Sequence, residues 1–298
     1  MAIVVANQVT KAYGTTKALD RVSFRLEENK IYGMLGRNGA GKTTLMHILT
    51  AQMFATSGSV QLFGEAPYEN DGVLRRVCFI KESQLYPRSL KVKDVLALSA
   101  SFFPNWDRDF ALKLADDFDL PLNRRVEKLS RGMHSSVGII VGLASRAPLT
   151  IFDEPYLGLD AVARGLFYDR LLADYAEHPR TIMLSTHLIG EVSRLLEHVL
   201  LIDRGRLLLN EDAETLRGSA FTATGPKSKV ETFAAGREAL HTESVGGLSS
   251  LTVRGTLNPE TKRQAGELGL ELGPVSLQRL FIHLTNPTPP EGKETSVS

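Results

Sequence analysis

The sequence predicts an α/β fold built on a largely parallel sheet. Three apolar runs have the character of buried strands: Ile31-Tyr32-Gly33-Met34-Leu35, Leu149-Thr150-Ile151-Phe152 and Thr181-Ile182-Met183-Leu184. Helical stretches alternate with them. Strands that alternate with helices imply crossover connections, and crossovers imply parallel pairing.

The elements follow in order. Residues 1–30 read as short strands and turns. Ile3-Val4-Val5 is one strand, and Val22-Ser23-Phe24-Arg25-Leu26 is another by its alternation. The buried run at 31–35 leads into a glycine-rich turn, and a helix opens at Lys42. The region 90–145 looks mostly helical, with pieces at 92–103, 107–118 and 130–145. A helix at 161–176 separates the next two buried runs. His198 to Ile202 and Arg206 to Leu209 flank Asp203-Arg204-Gly205, which reads as a hairpin turn. Beyond Gly218 the chain turns richer in Gly, Ser and Thr. Residues 218–285 read as a small α+β extension. Residues 286–298, with Asn-Pro-Thr-Pro-Pro, read as a disordered tail. The first 217 residues form the main domain.

Composition narrows the function. The 298 residues are 43% hydrophobic and 23% charged, ordinary for a globular protein. Lys and Arg number 35 against 34 Asp and Glu, a formal charge of +1. Binding nucleic acid through phosphates normally takes a basic excess, so no nucleic-acid partner is expected. The single cysteine, Cys78, allows no internal disulfide and no zinc ligand set. In the run Val77-Cys78-Phe79-Ile80 it reads as a buried strand residue. No signal peptide is visible at the N-terminus, and no apolar stretch approaches the ~20 residues of a membrane span. Work at a membrane would require docking onto a partner that spans it.

The strongest motif is Gly36-Arg37-Asn38-Gly39-Ala40-Gly41-Lys42-Thr43-Thr44, which matches G-x-x-x-x-G-K-[ST] between a strand and a helix. Glycines let the backbone wrap an anion closely. Successive N–H groups and the helix N-terminus then point at phosphates. Lys42 would reach the β- and γ-phosphates, and the Thr43 hydroxyl would bind Mg²⁺. Downstream, the strand at 149–152 ends in Asp153-Glu154-Pro155. Alone, such a pair is commonly a solvated turn. Downstream of a phosphate loop in one α/β domain, Asp153 suits the Mg²⁺ shell and Glu154 suits activation of the attacking water.

Between these motifs stands Leu129-Ser130-Arg131-Gly132-Met133, and after them come Gly158-Leu159-Asp160 and Ser185-Thr186-His187. The ordered set resembles the ATP-binding subunit of ABC transporters over roughly residues 2–217. The resemblance implies a P-loop NTPase core of ABC type with an antiparallel β subdomain and a helical subdomain at about 83–145. It implies that Tyr13 stacks on adenine. It implies that Ser130, Arg131, Gly132 and Met133 cap ATP held by the other subunit, that Asp160 couples two sites across a dimer, and that His187 touches the γ-phosphate. The cofactors are then ATP and Mg²⁺. The partners are a second copy or a paralogue and a separate transmembrane permease. The place is the cytoplasmic face of the membrane.

Three positions depart from the family pattern, one of them Met133, which stands where the signature usually has Gln. Glu82, in Phe79-Ile80-Lys81-Glu82-Ser83-Gln84, stands where a Gln that touches Mg²⁺ is usual, with Gln84 as the other candidate. Arg131 stands where glycine is usual. It either pairs with a phosphate or an acidic group, or is an exposed helix residue. The implied function is ATP hydrolysis that drives a permease, as in drug and peptide exporters. A soluble ABC-type ATPase acting on ribosomes or DNA is the alternative. The paired domains of ribosome-acting members and the long heptads of DNA-repair members are not seen here.

Overall fold

The structure, a computed structural model, describes residues 1–82 and 84–285. The tail expected at 286–298 lies outside the described residues. The chain divides into two compact units, residues 1–188 with 194–210, and residues 189–193 with 211 onward. The division thus falls seven residues before the boundary expected at 217. The reason is local: Arg217 donates to the carbonyl of Ser193, which holds the short helix Ala213–Arg217 and the segment 189–193 in one unit.

The first unit opens with β1 (Ala2–Tyr13), β2 (Thr16–Glu27), β3 (Ile31–Leu35) and β4 (Ser57–Leu62). The strands β5 (Val77–Ile80), β6 (Leu149–Asp153), β7 (Thr181–Thr186), β8 (His198–Asp203) and β9 (Arg206–Asp212) follow. The helices of this unit are α1 (Lys42–Leu49), α2 (Asp71–Leu74), α3 (Val92–Phe102), α4 (Arg108–Asp117), α5 (Arg131–Ala144) and α6 (Ala161–Glu177).

An antiparallel sheet in the order β2-β1-β4 carries the N-terminal strands. Both β1 and β2 run twelve residues, far longer than their alternating stretches suggest. Gln8 (φ 51°) and Arg21 (φ 54°) take left-handed backbone, and the register slips between Ala6 and Val9. Bulges of this kind leave one residue unpaired and break the period of two, so the pattern reads as fragments.

The central sheet runs β5-β6-β7-β3-β8-β9. The pairs β5/β6, β6/β7, β7/β3 and β3/β8 are parallel. Every residue of β3, β6 and β7 is buried, as expected of inner strands covered on both faces. Two residues with positive φ, Arg204 at 46° and Gly205 at 75°, turn β8 into β9, the geometry that matches the twist of a tight hairpin. Met34, Leu45, Met46, Ile48, Leu49, Ile151, Met183 and Leu200 belong to one buried cluster. Each such side chain contributes about 1.5–3 kcal/mol by leaving water. Cys78 is buried on β5, and burial pushes its thiol up to about 12.

Register places the functional ends together. Asp153 lies opposite Ser185, and Leu35 lies opposite Thr186. The phosphate loop, the acidic pair and His187 therefore all leave the sheet at the carboxyl ends of β3, β6 and β7. Ligands of open α/β sheets bind in that crevice.

In the second unit, α7 (Ile189–Val192) and α8 (Ala213–Arg217) precede β10 (Ala220–Pro226). Then come α9 (Lys227–Ala234), β11 (Ala239–Val245), β12 (Leu248–Arg254), α10 (Pro259–Leu268), β13 (Glu271–Pro274) and α11 (Leu277–Thr285). The run from β10 to β13 is β-α-β-β-α-β, with an antiparallel sheet in the order β11-β12-β10-β13. Phe221, Ala223, Val230, Phe233, Leu251, Val253, Ala265 and Leu270 form its own core. Among the described residues no helix is long and apolar enough to cross a membrane.

Candidate functional site

At the carboxyl ends of the central strands lies a cleft of about 440 Å³, lined by residues 38–44, Ala18, Glu82, Asp153, Glu154, Leu157 and His187. The loop can wrap so tightly because Gly41 has φ 108° and an added Cβ there would sit 2.5 Å from the Ala18 carbonyl oxygen. No side chain caps α1, which begins directly after Gly41. Its first N–H groups are left for an anion in the cleft.

Each charged group is held by its neighbours. Lys42 is buried, and its Nζ donates to the carbonyls of Gly36 at 2.7 Å and Arg37 at 3.3 Å. Burial lowers the Lys42 ammonium from its usual value, while Glu154 and Asp153 pull the other way. The Thr43 hydroxyl donates to Asp153 Oδ2 at 2.8 Å. The other oxygen, Asp153 Oδ1, is buried and has no partner among the described residues. Glu154 Oε1 lies 4.0 Å from Lys42 Nζ, and its Oε2 is 2.7 Å from His187 Nδ1. A carboxylate can only accept, so Nδ1 donates there.

The magnesium ion implied by the resemblance fits this donor set. An unpartnered, buried carboxylate oxygen beside a hydroxyl is an incomplete shell for a hard cation. Glu82 adds a carboxylate on the same cleft wall. Among the described residues no group of three or more His, Cys, Asp or Glu could hold a metal. Water and nucleotide oxygens would have to complete the shell, as magnesium prefers.

Glu82 and Gln84, the two candidates for one position, lie apart. Glu82 lines the phosphate cleft, whereas Gln84 lines a separate apolar groove of about 410 Å³ with Phe79, Tyr86, Leu98, Phe102 and Phe103. Tyr13 is half exposed near the end of β1, where its hydroxyl donates to Met53 Sδ at 3.0 Å. It does not line the cleft.

The remaining predicted residues surround a neighbouring turn. Ser130 caps α5 by accepting from the Met133 N–H at 3.2 Å, and Asp160 caps α6 by accepting from the Ala163 N–H at 2.8 Å. Gly158 has φ 92°, and a Cβ on Gly132 would stand 2.8 Å from the Gly158 carbonyl oxygen, so two segments pass in close contact. Arg131 reaches back to the cleft. Its Nη2 lies 3.5 Å from Glu82 Oε1, which joins two of the positions that depart from the family pattern.

One residue escaped sequence reading. Tyr156, two positions after Glu154, is buried, and its hydroxyl meets Glu154, Thr186 and His187. The available signal was a hydroxyl-bearing aromatic just beyond the acidic pair. Among the other six histidines, none lines the cleft.

A family model described as ABC transporter matches residues 19–157. The bacitracin transport ATP-binding protein BcrA of Bacillus licheniformis is 32% identical over 209 residues, covering 69% of this chain and 68% of its own length. The lantibiotic transport ATP-binding protein SrtF of Streptococcus pyogenes is 30% identical, covering 68% and 87%. Among solved structures, an ATP-binding subunit of an ABC transporter superposes with a TM-score of 0.66 at 23% identity, covering 72% of this chain and 92% of its own. The dimeric bacterial cassette MJ0796 gives 0.63 at 21%, covering 70% and 98%. The family model lies within the unit that holds the phosphate cleft, and the relatives identify this chain as a member of the ABC transporter family, among its ATP-binding subunits.

Proposed function

We propose that the chain binds Mg-ATP in this cleft, hydrolyses it, and drives a separate membrane permease. The observation that carries the reading is the convergence of Lys42, Thr43, Asp153, Glu154 and His187 in one cleft around the phosphate loop.

The chemistry follows from the placements. Loop N–H groups and the Lys42 ammonium hold the phosphates in line. Glu154 takes the proton of the attacking water, and His187, bonded to Glu154, keeps that carboxylate and the γ-phosphate in register. Magnesium, held by Thr43, Asp153 and Glu82, would neutralise charge that builds on the phosphate oxygens. Tyr13, half exposed and outside the cleft lining, stacks on adenine in this reading.

Residues 130–133 complete the site of a second copy in a head-to-tail dimer around two ATP molecules. Asp160 links the two sites. The partner is an identical chain or a paralogue. The exposed side chains of Leu98 and Phe102 border the apolar groove and offer a docking face for the permease. The working place is the cytoplasmic face of the membrane. Movement is outward in this reading, and the names of BcrA and SrtF, which give bacitracin and lantibiotic transport, support a cargo of that kind.

The test is affinity purification of a tagged Glu154→Gln chain from detergent-solubilised host membranes with Mg-ATP. Recovery of a polytopic membrane protein supports the reading. Recovery of ribosomes or DNA-repair proteins with no permease overturns it.

A further inference from the structure

Tyr156 is 2% exposed, and its ring meets the His187 imidazole edge-on with centroids 5.9 Å apart. Its hydroxyl touches three residues, Glu154 just past β6 and Thr186 and His187 at the end of β7. It contacts Glu154 Oε2, lies 2.7 Å from Thr186 Oγ1, and lies 3.2 Å from the His187 backbone N.

The protons can be assigned one by one. A phenol carries one proton and accepts through two lone pairs. Glu154 can only accept, so the phenol proton goes to Oε2. The His187 N–H can only donate, so it takes one lone pair of the phenol oxygen. Thr186 Oγ1 already accepts the Leu188 N–H at 2.9 Å, and its own proton takes the other lone pair. Each donor in the cluster thereby has an acceptor. Burial and the adjacent Glu154 push the Tyr156 phenol up, so it remains a donor throughout the working range.

Glu154 needs such a hold. Its φ is 50°, a left-handed conformation that costs a non-glycine residue energy. Its N–H donates to the Ser185 carbonyl at 3.2 Å, and Pro155 follows it. With Oε2 occupied by Tyr156 and His187, only Oε1 is left towards Lys42, 4.0 Å away.

We propose that Tyr156 is a positioning residue for hydrolysis: its hydroxyl fixes Oε2 of Glu154 and the backbone of His187, so that Oε1 is the oxygen presented to the attacking water. This inference rests on the ATPase reading above. The ring gives the packing and the hydroxyl gives the alignment.

Tyr156→Phe keeps the ring and removes the hydroxyl. In steady-state hydrolysis by the full chain, kcat should fall about tenfold while KM and the Kd for a fluorescent ATP analogue stay within about twofold. Tyr156→Leu should lose no less kcat than Tyr156→Phe, because both lack the hydroxyl. A Tyr156→Phe chain with wild-type or raised kcat overturns the inference and leaves the ATPase reading intact. A loss shared equally by kcat and ATP affinity overturns it too. A wild-type chain that hydrolyses no faster than Glu154→Gln overturns both.

Discussion

In the phosphate cleft each functional side chain is held by a neighbouring group of the same chain. Lys42 bonds to loop carbonyls, Thr43 to Asp153, and Glu154 to His187 and Tyr156. Around residues 130–133 and Asp160 the same kinds of group do ordinary structural work. Ser130 and Asp160 cap helices, and Arg131 extends with 71% of its side chain exposed. The first region is organised by the chain's own contacts. The second is complete as structure but turns its polar groups outward. A site divided this way is finished by a second copy in our reading. ATP would then act as the material that joins the copies.

The comparison can be broken at either region, and the expected effects run from large to small. Glu154→Gln should lower the hydrolysis rate about a thousandfold, at the middle of the range for a lost general base, with ATP binding retained. Phosphate-release kinetics beside calorimetric binding separates the two. A rate within tenfold of wild type would remove Glu154 from the mechanism. Lys42→Ala should weaken ATP binding about a hundredfold, or about 3 kcal/mol. Titration calorimetry reads this directly, and unchanged affinity would mean the phosphates do not lie on this loop.

The outward-facing region gives subtler outcomes. Ser130→Ala should cost about 1 kcal/mol in thermal unfolding as a lost cap. It should also slow hydrolysis about a hundredfold, the low end of the range seen when one transition-state donor is removed. If stability alone changes, residues 130–133 are caps and nothing more. The smallest effect belongs to Glu82 and Arg131. A double-mutant cycle with Glu82→Gln and Arg131→Gly should show about 0.5 kcal/mol of coupling in nucleotide-free stability, fading at high salt, since both groups face water. Coupling that survives high salt would mean that the pair is shielded from solvent.

Legibility in the sequence followed the range of the interactions. The phosphate loop and the strand ending in Asp153 are contiguous, so their pattern carried both fold and chemistry. Tyr156 was missed because its partners arrive from Thr186 and His187 on another strand, and no local pattern announces that meeting. Glu82 and Gln84 differ by two positions, yet they face different cavities once β5 ends at Ile80. The N-terminal strands looked short because bulges break their alternation. In residues 218–285 the sheet pairs β10 with both β12 and β13 across long separations, and strands such as Ala239–Val245 are largely exposed. Weak alternation there signals α+β but leaves the strand order open.

The buried thiol on β5 has a practical consequence. Cys78 is the sole cysteine, sealed in the core and far from the thiolate form that reacts. For site-specific labelling the natural chain therefore behaves as if it had none. A cysteine introduced at Val162, which is 83% exposed near the start of α6, would be the one maleimide-reactive group on the surface. A fluorophore there would sit two residues beyond Asp160 and would test the proposed approach of a second copy in real time, with every native residue but one in place.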